Sequence, residues 1–292
     1  MGGPQLITPY EAEHKVEGLE NFGLELVGSA RYMQQCRSVE ELNLQAHYNA
    51  MNQSDEFVSD LLVTLDKIPT LIHELLVIEV WKRKCFPLMK ETFESSAMTV
   101  PIYLILQHEL QLINLLECTL FHKTACESTN GDILVELVDY CYRKLVFLNT
   151  DARDYVEKSN VGKLDVKDLI NTSQEEELEK KVADIKFAAS MCSLAVLRYI
   201  TDYLGSLDPG VMARILDTHD VCMSLIPLLE DPPWMRVGNR TGGLEAFLDN
   251  AWKEIKGDER VRVNKHAAQI WLTLNNLVVD PECRKKVRRS KH

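Results

Sequence analysis

Apolar positions along the chain recur at three- and four-residue steps, and strand-like alternation is scarce, so helices are predicted almost throughout. Ser38-Val-Glu-Glu41 has the form of a capping box, with Ser38 as N-cap and Glu41 at the third helical position. It predicts the start of a helix carrying Leu42, Leu44, Ala46 and Met51. A second helix is predicted over Asp55–Leu65. Pro69 separates it from Thr70–Lys84, where Leu71, Leu75, Leu76, Ile78 and Val80 leave little polar face. A helix apolar nearly all round belongs inside a packed layer. Pro101 suits the first turn of the next helix, which runs toward Thr124 with one break. Asn130-Gly131-Asp132 marks a turn, and Ile133–Leu148 follows with Leu134, Leu137, Val138, Cys141, Leu145 and Leu148 in helical register.

From about Thr150 to Gln174 the chain turns polar and loses its period, which predicts a linker or insertion. A long helix then runs from Glu175 to Leu204, closed by Gly205 and Asp208-Pro209-Gly210. Val211–Thr218 and Val221–Leu229 read as two short helices. Asp231-Pro232-Pro233-Trp234 opens an irregular stretch to about Asn264, rich in glycine, and His266–Val279 is the last helix, ended by Asp280-Pro281. The expected organisation is therefore N-terminal helical layers over 1–149, a polar linker or insertion over 150–174, and helical repeats over 175–292 with an irregular insertion at 231–264. The runs VCMSLIPLLEDPPW and AAQIWLTLNNLVVDPE resemble the later helices of an armadillo-type repeat, a unit of about 40–47 residues that must stack to bury its faces. The fold class expected is all-α, an irregular armadillo/HEAT-like helical stack rather than a closed bundle.

Composition narrows the possible roles. An apolar fraction of 46% with 26% charged residues is that of a folded chain. A net charge of −11 and a pI near 5.3 argue against nucleic acid, which needs a basic face. Eight scattered cysteines without a C-x-x-C pair fit buried cytosolic thiols better than a disulfide framework. The start lacks a basic flank and an apolar core, so no secretory signal is read, and Leu6 discounts myristoylation at Gly2. The sequons at Asn52, Asn171 and Asn239 matter only in a secreted chain. The most apolar window, Val100–Phe121, holds Gln107, His108, Glu109, Gln111, Asn114 and Glu117, so it reads as a buried helix and not a membrane span.

Candidate chemistry is thin. His73-Glu74 and His108-Glu109 begin a zinc-protease motif, but Val77 and Leu112 stand where its second histidine is needed. Cys118, His122 and Cys126 share a helical stripe. The outer two lie about 12 Å apart on a straight helix, too far for one ion. No metal site, catalytic residue or phosphate loop is read, and the chain is expected not to be an enzyme. Trp271 and Asn275 match the W-x-x-x-N spacing of the groove-lining helix in armadillo repeats, where Asn pairs with an extended peptide backbone and Trp packs beside it. The alternative is a buried Trp271 with Asn275 capping a helix end. The basic run Arg284–His292 reads as a solvated helix end, with nucleic acid, membrane or importins as other readings.

Longer blocks are more specific. They include EAEHKVEGLENF, LVTLDKIPTLIHELLVIEVWKRKCFP and VPIYLILQHELQLINLLECTLFHKTACES. LVDYCYRKL, LAVLRYITDYLGSL, ILDTHDVCMSLIPLLEDPPW and WLTLNNLVVDPE follow in order. Together the sequence resembles the family of axonemal dynein assembly factors that carry a C-terminal MYND-type zinc finger. The resemblance implies an armadillo-like helical body and a co-chaperone scaffold for preassembly of outer and inner dynein arms, needed for motile cilia. It implies the cytoplasm, including centriolar satellites or the apical cytoplasm of ciliated cells. Its implied partners are dynein heavy and intermediate chains, a leucine-rich-repeat CS-domain assembly factor, an FK506-binding immunophilin and Hsp90. The family's second helical half and MYND finger are absent from this sequence, so zinc is implied only for that absent finger and no cofactor is expected here. A general peptide-binding armadillo-type adaptor is the alternative function.

Overall fold

The computed structural model describes residues 7–90, 99–160, 174–281 and 283–284. The expected helical class is observed, with one small sheet added. The chain divides into two compact units, residues 1–137 with 206–208, and residues 138–205 with 209–292.

In the first unit, α1 (Pro9–Glu17) opens with a capping box in which the Thr8 hydroxyl accepts from the Glu11 N–H and the Glu11 carboxylate accepts from the Thr8 N–H. The long α2 spans Ala30–Asn52. Its N-cap is Ser29, whose hydroxyl accepts from the Tyr32 N–H. The helix therefore starts about two turns before the expected Ser38, which lies inside it. The Ser38–Glu41 spacing arose within an already helical segment, where the backbone N–H groups it would cap are taken. Helices α3 (Phe57–Thr64), α4 (Ile68–Lys84) and α5 (Phe86–Lys90) follow. Pro69 sits in the first turn of α4, where its missing N–H costs nothing. Then come α6 (Thr99–Leu120) and α7 (Lys123–Ser128), the break between them being the one expected from the sequence.

Helix α6 packs on both α2 and α4 and is the centre of this unit. That placement explains its apolar character. Ile102, Ile105, Leu106, Leu112, Ile113, Leu115 and Leu116 are all buried, around most of its circumference. Among the described residues no helix is long and apolar enough to cross a membrane.

Helix α8 (Gly131–Thr150) leads into the second unit. Within the stretch expected to be a linker, Ala152–Ser159 forms a further helix, α9, with Ala152 and Val156 buried; the rest, 161–173, lies outside the described residues. Helix α10 (Gln174–Asp202) is charged at its start and then deeply buried from Ile185 to Ile200. After α11 (Pro209–Ala213) the chain widens into a π-turn, Arg214–Thr218, and enters α12 (Val221–Glu230). There the Asp139 carboxylate takes a 2.6 Å bond from the His219 ring and lies 3.4 Å from Arg214.

The expected irregular insertion at 231–264 contains three antiparallel strands in sequence order: β1 (Met235–Val237), β2 (Leu244–Leu248) and β3 (Ala251–Glu254). Asp249 and Asn250 join β2 to β3 with φ of 50° and 58°, the left-handed pair that a two-residue hairpin turn demands. Helix α13 (Lys265–Val279) closes the unit against α10 and α12. An aromatic cluster joins sheet to helices. Phe187 of α10 meets Phe247 edge-on at 4.9 Å, Tyr155 of α9 at 4.8 Å and Trp252 of β3 at 6.0 Å.

Candidate functional site

Of the two histidine–glutamate pairs, His73, Glu74 and Glu109 are engaged in bonds that hold the fold. In the first unit the segment between α1 and α2 makes few backbone bonds of its own, and side chains complete them. The Gln35 amide both accepts from the Glu20 N–H and donates to the Glu20 carbonyl, each at 2.9 Å. His73 Nε2–H donates to the Phe22 carbonyl at 2.9 Å, and the Glu74 carboxyl accepts from the Phe22 N–H at 2.8 Å. Lys67 donates to the Leu19 carbonyl at 2.7 Å. Burial pushes the Glu74 carboxyl up to about 7, against the lowering influence of the Phe22 N–H and the Gln35 side chain.

His108 and Glu109 separate in role. Glu109 is buried and ion-paired with Lys82 of α4. His108 is buried beside Tyr32, and neither ring nitrogen has a partner among the described residues. Burial lowers its imidazole to about 3, so it stays neutral. Cys118, His122 and Cys126 go three ways. Cys118 Sγ lies 3.5 Å from His47 Nδ1, His122 Nε2 lies 2.8 Å from a Glu56 carboxylate oxygen, and the buried Cys126 thiol donates to the Leu120 carbonyl. Among the described residues no three His, Cys, Asp or Glu side chains come together as metal ligands would.

Trp271 and Asn275 behave differently. Helix α13 is amphipathic in the helical period. His266, Ile270, Thr273 and Leu277 form its buried face. The His266 ring N–H donates to the Phe247 carbonyl at 2.9 Å, which ties the helix start to β2. At the other end the Asn276 amide donates to Asp202 Oδ1 at 2.7 Å and to the Thr201 hydroxyl at 3.2 Å, which ties it to α10. Those anchors turn Trp271 and Asn275 outward together. Trp271 is 58% exposed, Asn275 is exposed, and Leu272, Val278 and Val279 share the exposed side. Asp280, not Asn275, occupies the helix C-cap. On the neighbouring α12, Met223 and Ile226 are exposed as well. An asparagine amide and an indole one turn apart on a fixed helix can pair with, and pack against, an extended chain. The Leu272, Val278, Val279, Met223 and Ile226 exposures were not foreseen, although the spacing of 271, 275 and 278 on one helix face would have located the α13 part.

The described residues form a largely helical protein in which one face of α13 carries exposed apolar side chains, Trp271 among them. The chain is similar to the zinc finger MYND domain-containing protein 10 homolog of Drosophila melanogaster, with 28% identity over 277 residues. The aligned region covers 94% of this chain and 59% of that relative, which bears out the resemblance read from the sequence blocks. No family profile matches the chain, and no solved structure matches it. The relative's name includes a zinc finger; the described residues of this chain gather no ligand set that fits zinc.

Proposed function

We propose that this chain acts as a cytosolic scaffold, without catalysis of its own, in the co-chaperone system that preassembles outer and inner axonemal dynein arms. The observation that carries this reading is the match to the MYND-type relative along 94% of the chain. The structural roles of His73, Glu74 and Glu109 support a binding role over a chemical one. The partners proposed are dynein heavy and intermediate chains, the leucine-rich-repeat CS-domain factor, the FK506-binding immunophilin and Hsp90. The exposed face of α13 is the proposed contact for an extended segment of one of them.

A second reading, a general peptide-binding adaptor, draws on the joint exposure of Trp271 and Asn275. Purified protein carrying Trp271→Ala and Asn275→Ala distinguishes surface from scaffold. Both side chains are exposed, so the melting curve should stay within about 0.5 kcal/mol of the parent. Capture of dynein intermediate chain from ciliated-cell cytosol, read by immunoblot, should fall at least tenfold. Equal capture by the double variant removes the α13 face from the account and the adaptor reading with it. Absence of any dynein chain from the parent's capture contradicts the assembly reading.

A further inference from the structure

The chain as a whole is acidic, yet one cavity in the second unit is lined by cations. It measures about 270 Å³ and is bounded by Ser159, Asn160, Lys180, Arg236, Arg240, Glu245 and Trp252. Three positive side chains stand against one carboxylate. The lining therefore carries a net charge of about +2 at neutral pH, inside a protein of net −11.

The cavity is held in shape by its own bonds. Arg236 on β1 is opposite Glu245 on β2 in the sheet register, and its Nε donates to the Glu245 carboxylate at 2.8 Å. Its Nη1 donates to the Ser159 hydroxyl at 3.0 Å, and its guanidinium lies 4.0 Å over the Trp252 ring. Asn160 is bound to the hairpin, donating to the Val237 carbonyl at 2.7 Å and accepting from the Asn239 N–H at 2.9 Å. Arg236 and Glu245 are each only 12% exposed. Lys180 and Arg240 stand exposed at the rim. Trp252 also brings an indole N–H that is buried without an acceptor among the described residues.

We propose that this cavity binds a phosphomonoester, presented by a phosphorylated serine or threonine side chain of a partner. Charge selects that ligand. A phosphomonoester carries about −1.5 to −2 at neutral pH, which matches the lining, whereas one carboxylate leaves a positive charge unbalanced. Arg236 has already lost its rotamer freedom, and beyond its bonds to Glu245 and Ser159 its guanidinium keeps further N–H donors that suit phosphate oxygens. The cavity, about 270 Å³ and open at its rim, has room for a phosphoryl group whose carrier stays outside. This inference stands independently of the dynein-arm reading.

The test uses the four tryptophans as reporters. In ¹⁵N-labelled full chain, Trp252→Phe assigns the Trp252 indole resonance. Inorganic phosphate and the peptide Ala-phosphoserine-Ala should each shift that resonance saturably, leaving the Trp81 and Trp271 signals in place. Unphosphorylated Ala-Ser-Ala should not shift it, and N-acetylglutamate should bind at least tenfold more weakly. Lys180→Gln with Arg240→Gln, both at exposed positions, should weaken phosphate at least tenfold with the remaining indole signals unchanged. Tighter binding of the phosphopeptide than of free phosphate identifies a protein-borne ligand; the reverse overturns the side-chain assignment in favour of a free phosphate compound. No shift with either probe, or an equal shift in the double variant, overturns the site.

Discussion

At the residue scale, Glu74 shows how far position can change a side chain's meaning. Beside His73 it begins a catalytic-looking motif, yet both side chains close the backbone of Phe22. Nothing in the two-letter pair distinguishes these roles, because the partner lies 52 positions away in sequence for Glu74. Its burial has a consequence for stability. The folded carboxyl titrates near 7 and the free group near 4.5. A raised folded value favours the protonated form, so the contribution is fully present below pH 4.5. It is lost as pH rises through 7, by roughly 3 kcal/mol when complete. Glu74→Gln keeps an oxygen for the Phe22 N–H and cannot ionise. Thermal melts should therefore match the parent near pH 5 and exceed it at pH 8. A lower melting point for Glu74→Gln at pH 8 would show that the ionised carboxylate stabilises the fold.

At the element scale, most helices were legible because their apolar positions repeat over several turns. The start of α2 and the sheet were not. The Ser38 box satisfied the sequence rule, but Ser29 satisfied the geometry, with extended backbone and its hydroxyl on the Tyr32 N–H. Ser29→Ala should cost about 1 kcal/mol in a denaturant melt. Ser38→Ala, inside the helix, should be neutral or slightly stabilising, since alanine is the better helix former. The opposite order would restore Ser38 as the cap. The sheet escaped notice because its strands are short and β2 buries Glu245, Ala246 and Phe247 in succession, which erases the alternation that marks a strand. The Asp249-Asn250 turn was the available signal. Trp271 and Asn275 were found by spacing alone, but their outward direction depends on distant anchors. His266 on Phe247 and Asn276 on Asp202 fix the roll of α13, and no local pattern contains those bonds.

At the scale of the whole molecule, the two units carry different features. The first is built around α6, where the Asn43 amide donates to Gln111 at 2.6 Å and the buried His108 imidazole has no partner among the described residues. The second carries the exposed α13 face and the cationic cavity. An exposed apolar helix face and a cation-lined cavity are features suited to holding partners. Composition and periodicity set the fold class, but they did not reach a biological role; the role proposed above rests on the long ordered blocks of resemblance and on the similarity to the MYND-type relative. The measurement that tests the role most directly is depletion in multiciliated cells, imaging of outer and inner dynein arms, and rescue with residues 1–292. The account predicts that arms are lost on depletion and that the rescue restores dynein chains to cytosolic assembly complexes. Normal arms after complete depletion would contradict it.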